Sequence, residues 1–554
     1  MTAPMARPLG ETLDHRQKWL MLASLMTAMF MGALDQTIMA TAAPKIVASL
    51  GSFRLLSWVF TTYMLTSTVV VPLVGKLSDI HGRKPFLMAG MVVFLIASAG
   101  CGASPSMGAL IAFRGLQGVG GGIIFSSVFA TIGDLFPPAE RGKYVGFFTG
   151  TFSLASIIGP TVGGLLTDHA GWRWVFFINI PVGAVALPAI WYNLPMVRSQ
   201  RRPRIDFLGA AILSIATTTG LLGLAWSGQA NGWTSGATLG LFAVCATGTV
   251  AFAFQELHHS EPIIPFHLFR NREFLLGNLI VLSMGFATTG AVPYLPTFLQ
   301  VALNASATAS GLITTPQSLG LLITSIVGGQ ILSRTGRYKA ITLTGVALIF
   351  TATALMLTLS SDTPTWHLSA FVVVLGLGSG LAMPTMGVVI QNAVPHAFLG
   401  VATSTRQFFM QIGGVLGTAI FGVLLTTTFQ AQFRQNVSPA TRAAVSASTL
   451  QRFEDPTLAL DRSTFGQVQA EILAQPDGDV SLADARHAQR TAIAAAIRKV
   501  FLCSVCVVFL ALLFSLLLKE RPLRRTLGPP EPDQPKEARP DRERSQSEYA
   551  TPRR

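Results

Sequence analysis

Apolar runs long enough to cross a bilayer recur along this chain, and that recurrence constrains its fold more than any other feature. A bilayer core needs about 20 apolar residues per helix. Such runs fall near 19–40, 56–75, 86–104, 108–133, 142–166, 172–193, 206–227, 236–255, 273–300, 308–332, 338–359, 366–391, 398–427 and 493–518. These fourteen predict an all-α polytopic membrane protein. Internal Gly and Pro do not oppose helix here, because neighbouring helices can satisfy freed backbone groups. Only 12% of the residues are charged and 50% are hydrophobic. A globular surface normally carries about a quarter charged residues, so the outer surface is expected to face lipid.

The short loops set the orientation. An even number of spans puts both termini on one side. That side holds Lys76, Arg83, Lys84, Arg141, Lys143, Arg198, Arg201, Arg202, Arg204, Arg270, Arg272, Arg334, Arg337 and Lys339. The opposite short loops hold little beyond Lys45, Arg54 and Arg173. The positive-inside rule predicts both termini in the cytoplasm of a cell membrane. The net charge of +14 does not indicate a nucleic-acid partner, because the bases sit in short loops and a tail instead of on one solvated domain.

Residues 1–18 read as a cytoplasmic N-terminus without a cleavable leader, and 519–554 as a disordered, basic cytoplasmic tail. The polar segment 428–492 joins the last two spans on the outer side and is expected to hold short amphipathic helices. It reads first as a passive hairpin, and second as a gate or a docking element for a periplasmic adaptor. Cys503 and Cys506 lie in an apolar run without a partner His or a second pair, so they read as small helix residues.

The chain repeats internally. After span 2 comes Gly75-Lys76-Leu77-Ser78-Asp79-Ile80-His81-Gly82-Arg83, and after span 10 comes Gly329-Gln330-Ile331-Leu332-Ser333-Arg334-Thr335-Gly336-Arg337. Span 4 holds Gly118, Gly120 and Gly122, and span 12 answers with Gly376, Gly378 and Gly380. An offset of eight spans divides the chain into a six-helix bundle at 19–193, two inserted helices at 206–255, and a second bundle at 273–518. Two similar bundles around a central cavity suit alternating access.

These motifs resemble the major facilitator superfamily, in particular its fourteen-span drug:proton antiporter branch. The resemblance rests on the 75–84 loop, on Arg114-Gly115-Leu116-Gln117-Gly118 in span 4, and on Gly150 through Gly159, Pro160, Gly163 and Gly164 in span 5. Leu34-Asp35-Gln36-Thr37 through Pro44, Gly171-Trp172-Arg173-Trp174 through Asn179 and Pro181, and Ile205-Asp206-Phe207-Leu208-Gly209 also resemble that branch. The second-half loop departs from the pattern, with Ser333 where the first has Asp79, and the 428–492 connection is long. The resemblance implies a proton-driven exporter of small compounds.

Sorting the acids against the spans leaves only Asp35 well inside one. An intramembrane acid is a functional-site candidate by default. Arg114 is the comparably placed base in the first bundle, and spans 1 and 4 run so that both residues fall about 7–9 Å below the outer boundary. Burial favours the neutral acid and Arg114 favours the carboxylate, so a change in their contact could couple proton entry to export. Gly75, Asp79, Gly82, Arg83 and Arg141 are expected to control conformation, with Gly82 in a tight turn and Asp79 either favouring a helix start or pairing with Arg141. Gly159, Pro160 and Gly163 are expected to interrupt the span-5 helix and form a hinge for the outer gate.

Tyr63, Gln117, Asn278, Gln317, Gln391 and Gln411 are the candidates for the substrate cavity. One acid among many Phe and Met residues suits small amphipathic or cationic substrates. No G-x-x-x-x-G-K-[S/T] loop is present, so no nucleotide is expected and the proton gradient is the energy source. No metal-ligand spacing is evident, no cofactor is expected, and no catalytic group accompanies the acids, which argues against an enzyme. Export of an endogenous metabolite, lipid, siderophore or antibiotic is the alternative on the same fold.

Overall fold

The computed structural model describes residues 13–50, 53–196, 206–227, 232–259, 261–291, 294–303, 307–361, 363–455, 458, 462–475 and 477–523. Most of the expected N-terminal segment and C-terminal tail, and the bases at 198–204, lie outside them. Among the described residues, twelve helices are long and apolar enough to cross a membrane. The two other expected spans are also helical, 308–332 as one helix and 273–300 with a π-helical turn inside it.

The first half holds α1 (His15–Leu50), α2 (Phe53–His81), α3 (Arg83–Ala103), α4 (Met107–Leu135), α5 (Pro138–His169) and α6 (Asn179–Asn193), the last preceded by the single turn Trp174–Phe177. The inserted pair is α7 (Phe207–Ser227) and α8 (Gly236–His258). The second half opens with α9 (Arg272–Met284), which passes through the π-helical turn Gly285–Thr289 before the short α10 (Leu295–Val301). Span 9 therefore takes a π-helical turn inside the expected apolar run. There follow α11 (Ala307–Thr335), α12 (Lys339–Leu355), α13 (Thr365–Asn392) and α14 (Leu399–Asn436). Three short helices come next, α15 (Pro439–Ala444), α16 (Ala447–Phe453) and α17 (Arg462–Leu473), and then α18 (Gly478–Leu517).

Each half has its own apolar core, one built from Met21 to Leu194 and the other from Leu268 to Leu523. Many large apolar side chains point outward instead, including Ile96, Val185, Phe207, Val250, Leu257 and Leu312. Water would penalise that surface, and lipid does not. Where helices touch, glycine lets their backbones approach: a Cβ at Gly120 would fall 2.7 Å from the Phe94 nitrogen of α3, and one at Gly378 would fall 2.6 Å from the Gly345 carbonyl of α12.

The inserted pair packs at a seam. Leu213, Phe252, Ile263 and Ile264 form a small core with Phe408 of α14, and Leu73 of α2 packs against it. Trp58 of α2 meets Trp226 of α7 edge-on, with ring centroids 6.5 Å apart. Lys76 at the end of α2 pairs with Glu261, just after α8, at 2.8 Å. The pair thus lies against both halves.

The long connection is folded. Helix α14 continues to Asn436 and α18 begins at Gly478, beyond the expected limits of 427 and 493. At 38 and 40 residues, they run about 57–60 Å at 1.5 Å per residue, nearly twice a bilayer core. Their extensions keep an apolar stripe, with Phe429, Phe433, Leu482, Ala485 and Ala488 buried, and Val445, Phe453, Val468 and Ile472 of the short helices close over it. Ion pairs Arg434–Glu454 at 2.7 Å and Arg452–Glu471 at 2.8 Å lie on the rim of this cap.

Candidate transport site

Asp35 sits in α1, and α1 runs to Leu50 instead of ending near residue 40. The acid is therefore near the middle of its helix, not five residues from the end. Its partner helices are entered from the end opposite the bases. Arg114 is seven residues into α4, or about 10 Å.

The two side chains meet. Arg114 Nη1 donates to Asp35 Oδ2 at 2.7 Å, and Gln117 Nε2 donates to Asp35 Oδ1 at 2.8 Å. Arg114 and Gln117 are three residues apart on one helix face, as the i, i+3 spacing requires. A third donor was not anticipated: Asn179 Nδ2, at the first turn of α6, reaches Asp35 Oδ1 at 2.9 Å. Ser98 of α3 accepts from both amides, at 2.9 Å from Asn179 and 3.2 Å from Gln117, and donates to the Phe176 carbonyl at 2.8 Å. Arg114 also donates to Gln117 Oε1 at 2.8 Å and to the Val59 carbonyl at 3.3 Å, and its guanidinium lies 4.4 Å from the Tyr63 ring centroid. Five helices thus converge on one carboxylate. Asp35 is 1% exposed, Arg114 2%, and Gln117, Asn179 and Ser98 0%. The Asn179 Oδ1 atom is buried with no hydrogen-bond partner.

This arrangement revises the cavity candidates. Gln117 and Tyr63 are buried members of the carboxylate cluster, not free cavity walls. Gln391 is buried at the other end of the membrane, where it joins the halves. Asn278 is buried and donates to its own helix at the Phe274 carbonyl, 2.8 Å away. Gln317 and Gln411 are half-buried on α11 and α14. Exposed Gln36, beside Asp35 on α1, donates to the Tyr63 hydroxyl at 3.4 Å and was not among the candidates.

The base-rich end holds a second constellation. Asp79, at the end of α2, accepts from the backbone nitrogens of Gly400 and Val401, each at 3.1 Å. It thereby caps α14 of the other half, satisfying donors that a helix start leaves free. Of the two roles expected for Asp79, this is the helix-start one. Arg83 pairs with Asp79, with Asp134 at 2.8 Å and with Ser78 at 2.6 Å. Gly82 takes φ +94°, which only glycine adopts freely, and so turns α2 into α3. Arg141 donates to the carbonyls of Phe136 at 2.7 Å and Gly133 at 2.6 Å, and reaches Gln391 of α13 at 3.3 Å. Gln391 in turn donates to Thr403 at 2.9 Å.

Backbone contact reinforces this link. A Cβ on Gly75 would strike Ser404, one on Gly146 would strike the Ser325 carbonyl, and one on Gly150 would lie 2.9 Å from Leu322. Further along α5, Gly159 and Gly163 instead approach Thr37 and Thr41 of α1, within the same half. Pro160 does not break α5, which is one helix from Pro138 to His169. Nearby, Thr37 Oγ1 donates across to the Ala155 carbonyl at 3.1 Å. Trp172 is 5% exposed, with Arg173 stacked over it.

Two bundles joined by an inserted pair, with one acid held in the first, define a polytopic transporter and not an enzyme. The Major Facilitator Superfamily model matches residues 25–418, and the chain belongs to that family. It is 40% identical over 410 residues to the multidrug transporter protein MdtP of Bacillus subtilis, covering 74% of this chain and 75% of that one. It is 35% identical over 449 residues to multidrug resistance protein 3 of the same organism, covering 81% and 87%. Among solved structures, the proton:xylose symporter XylE shares the fold, with a TM-score of 0.59, 13% identity, and coverage of 93% of this chain and 99% of that one.

Proposed function

We propose that this protein is a proton-coupled antiporter that exports small amphipathic compounds across the cytoplasmic membrane, with its base-rich end and both termini in the cytoplasm. The observation that carries the reading is the enclosed Asp35 carboxylate, held by Arg114, Gln117 and Asn179. A carboxylate so placed is ready to exchange a proton when its donors part. Protonation removes the charge that holds Arg114, and the amides and Ser98 then need new partners. Movement of α1 against α3, α4 and α6 is the consequence, and α1 also carries the contacts to Gly159 and Gly163 of α5.

The halves are joined at the base-rich end, which matches a state open to the outside. Proton entry from that side would release Arg114, and deprotonation towards the cytoplasm would reset the site. The names of the bacterial relatives support drugs as the substrate class, and export of an endogenous product by the same cycle is the second reading.

Dye efflux from inverted vesicles tests the mechanism. A proton ionophore is expected to abolish wild-type transport, and Asp35→Asn to reduce proton-driven transport to background while leaving the protein folded. Ionophore-insensitive export, or full proton-driven transport by Asp35→Asn, would sink the antiporter reading.

A further inference from the structure

A second arginine lies within the membrane-spanning region and, unlike Arg114, it has no acid. Arg406 is seven residues into α14, about 10 Å from the base-rich end, and is 7% exposed. Its guanidinium carbon sits 5.3 Å from the Phe129 ring centroid of α4. Among the described residues, that ring is its only recorded polar or charge-linked contact: no hydrogen bond or ion pair is present. The sequence supplies no nearby acid either, since Asp35 is the sole carboxylate well inside a span and is already balanced by Arg114.

A glycine leaves methyl-sized space beside this cation. Gly387 of α13 faces it, and a Cβ built there would stand 3.9 Å from Arg406 Nε and 3.9 Å from Val145 of α5. Helices from both halves, α4 and α5 on one side and α13 and α14 on the other, therefore meet around one uncompensated guanidinium. Burying a charge without a counter-charge is costly, and an aromatic face repays only part of it. A guanidinium presents a planar fork of donors suited to carboxylate and related anions.

We propose that Arg406 is a binding site for an anionic group between the two halves, filled by the carboxylate of an amphipathic compound in transit or by a free inorganic anion such as chloride. The proposal deepens the exporter reading by naming a chemical class for what is carried. It draws on that reading only for the word "carried", because the site itself is tested by binding without a proton gradient. A group bound here touches both halves, so its arrival and departure are tied to their separation.

The test uses purified full-length protein in detergent, in chloride-free gluconate buffer, with pyrenebutyrate and its neutral amide as fluorescent probes. Wild type is expected to bind the acid at least tenfold more tightly than the amide. Arg406→Gln is expected to lower that ratio below twofold, and Arg406→Lys to keep part of it, with monodispersity on size exclusion confirming that each variant is folded. In a second arm, chloride is titrated and thermal unfolding is followed. Stabilisation of wild type but not of Arg406→Gln, with no preference for the acid probe, identifies a free anion as the occupant and upholds the site. Equal binding of acid and amide by wild type together with no Arg406-dependent chloride effect overturns it, as does an acid preference that survives in Arg406→Gln. Proton-driven efflux lost in Asp35→Asn beside a failed binding test would leave the antiporter standing and this site refuted.

Discussion

The Asp35–Arg114 pair is almost dry, and its energetics differ from those of a surface ion pair. Each group has left water, a penalty of several kcal/mol per ion that is offset only by good geometry and further donors. Gln117 and Asn179 supply those donors, and Ser98 accepts from both amides. Removing one partner leaves the other charged and stranded. Arg114→Leu is therefore expected to destabilise the protein by about 3–5 kcal/mol, while Arg114→Leu combined with Asp35→Asn regains much of that loss without regaining transport. Thermal unfolding in detergent beside vesicle efflux separates the two effects. The sequence made Asp35 legible because an acid in an apolar run stands out. Asn179 and Ser98 stayed hidden because a single small polar residue in a span is usually helix glue, and only the fold brings five helices together around one carboxylate. Arg406 was legible in principle: sorting the bases against the spans, as the acids were sorted, isolates it in span 398–427.

At the scale of helices, glycine decides how closely the halves meet. Helix α5 runs past α11 with Gly142 and Gly146 where the backbones are closest. A side chain at Gly146 must displace the Ser325 carbonyl. Gly146→Leu is expected to hold the base-rich end apart, lowering efflux more than tenfold and abolishing cross-linking between cysteines introduced at Gly150 and Leu322. The cap over α14 and α18 makes a different case. Phe453 is 0% exposed at its centre. Phe453→Ala is expected to cost about 3–5 kcal/mol locally and to accelerate limited proteolysis between Asn436 and Gly478, with the membrane helices still resistant. Element identity was readable from apolar length, but three boundaries were not. Helices α14 and α18 outrun their apolar segments because an amphipathic stripe continues into water, which a hydropathy window cannot see. Span 9 takes a π turn at Gly285–Thr289 inside an unbroken apolar run. Pro160 removes one ladder bond, yet α5 stays one helix from Pro138 to His169.

For the whole molecule, the two arginine sites stand near opposite ends of the membrane, one within the first half and one between the halves. They share no residue. Substitutions this far apart usually add within about 0.3–0.5 kcal/mol. Stability changes of Arg114→Leu and Arg406→Gln, whatever their sign, are accordingly expected to sum in the double variant, as measured by denaturation in one detergent. A coupling well above that range would mean that the two sites communicate even at rest.

The placement of α7 makes the molecule unequal on its two flanks. The bundles meet along two seams, one of α2 with α14 and one of α5 with α11. The inserted pair covers the first, with Trp226 against Trp58 and Leu213 in a shared core with Phe408. The second is edged by outward-facing Leu154, Leu319, Ile323 and Val327. An oily molecule dissolved among the acyl chains therefore meets a shuttered flank on one side and bare helices on the other. Among the described residues, the α5–α11 contact is the flank whose own helices face the acyl chains.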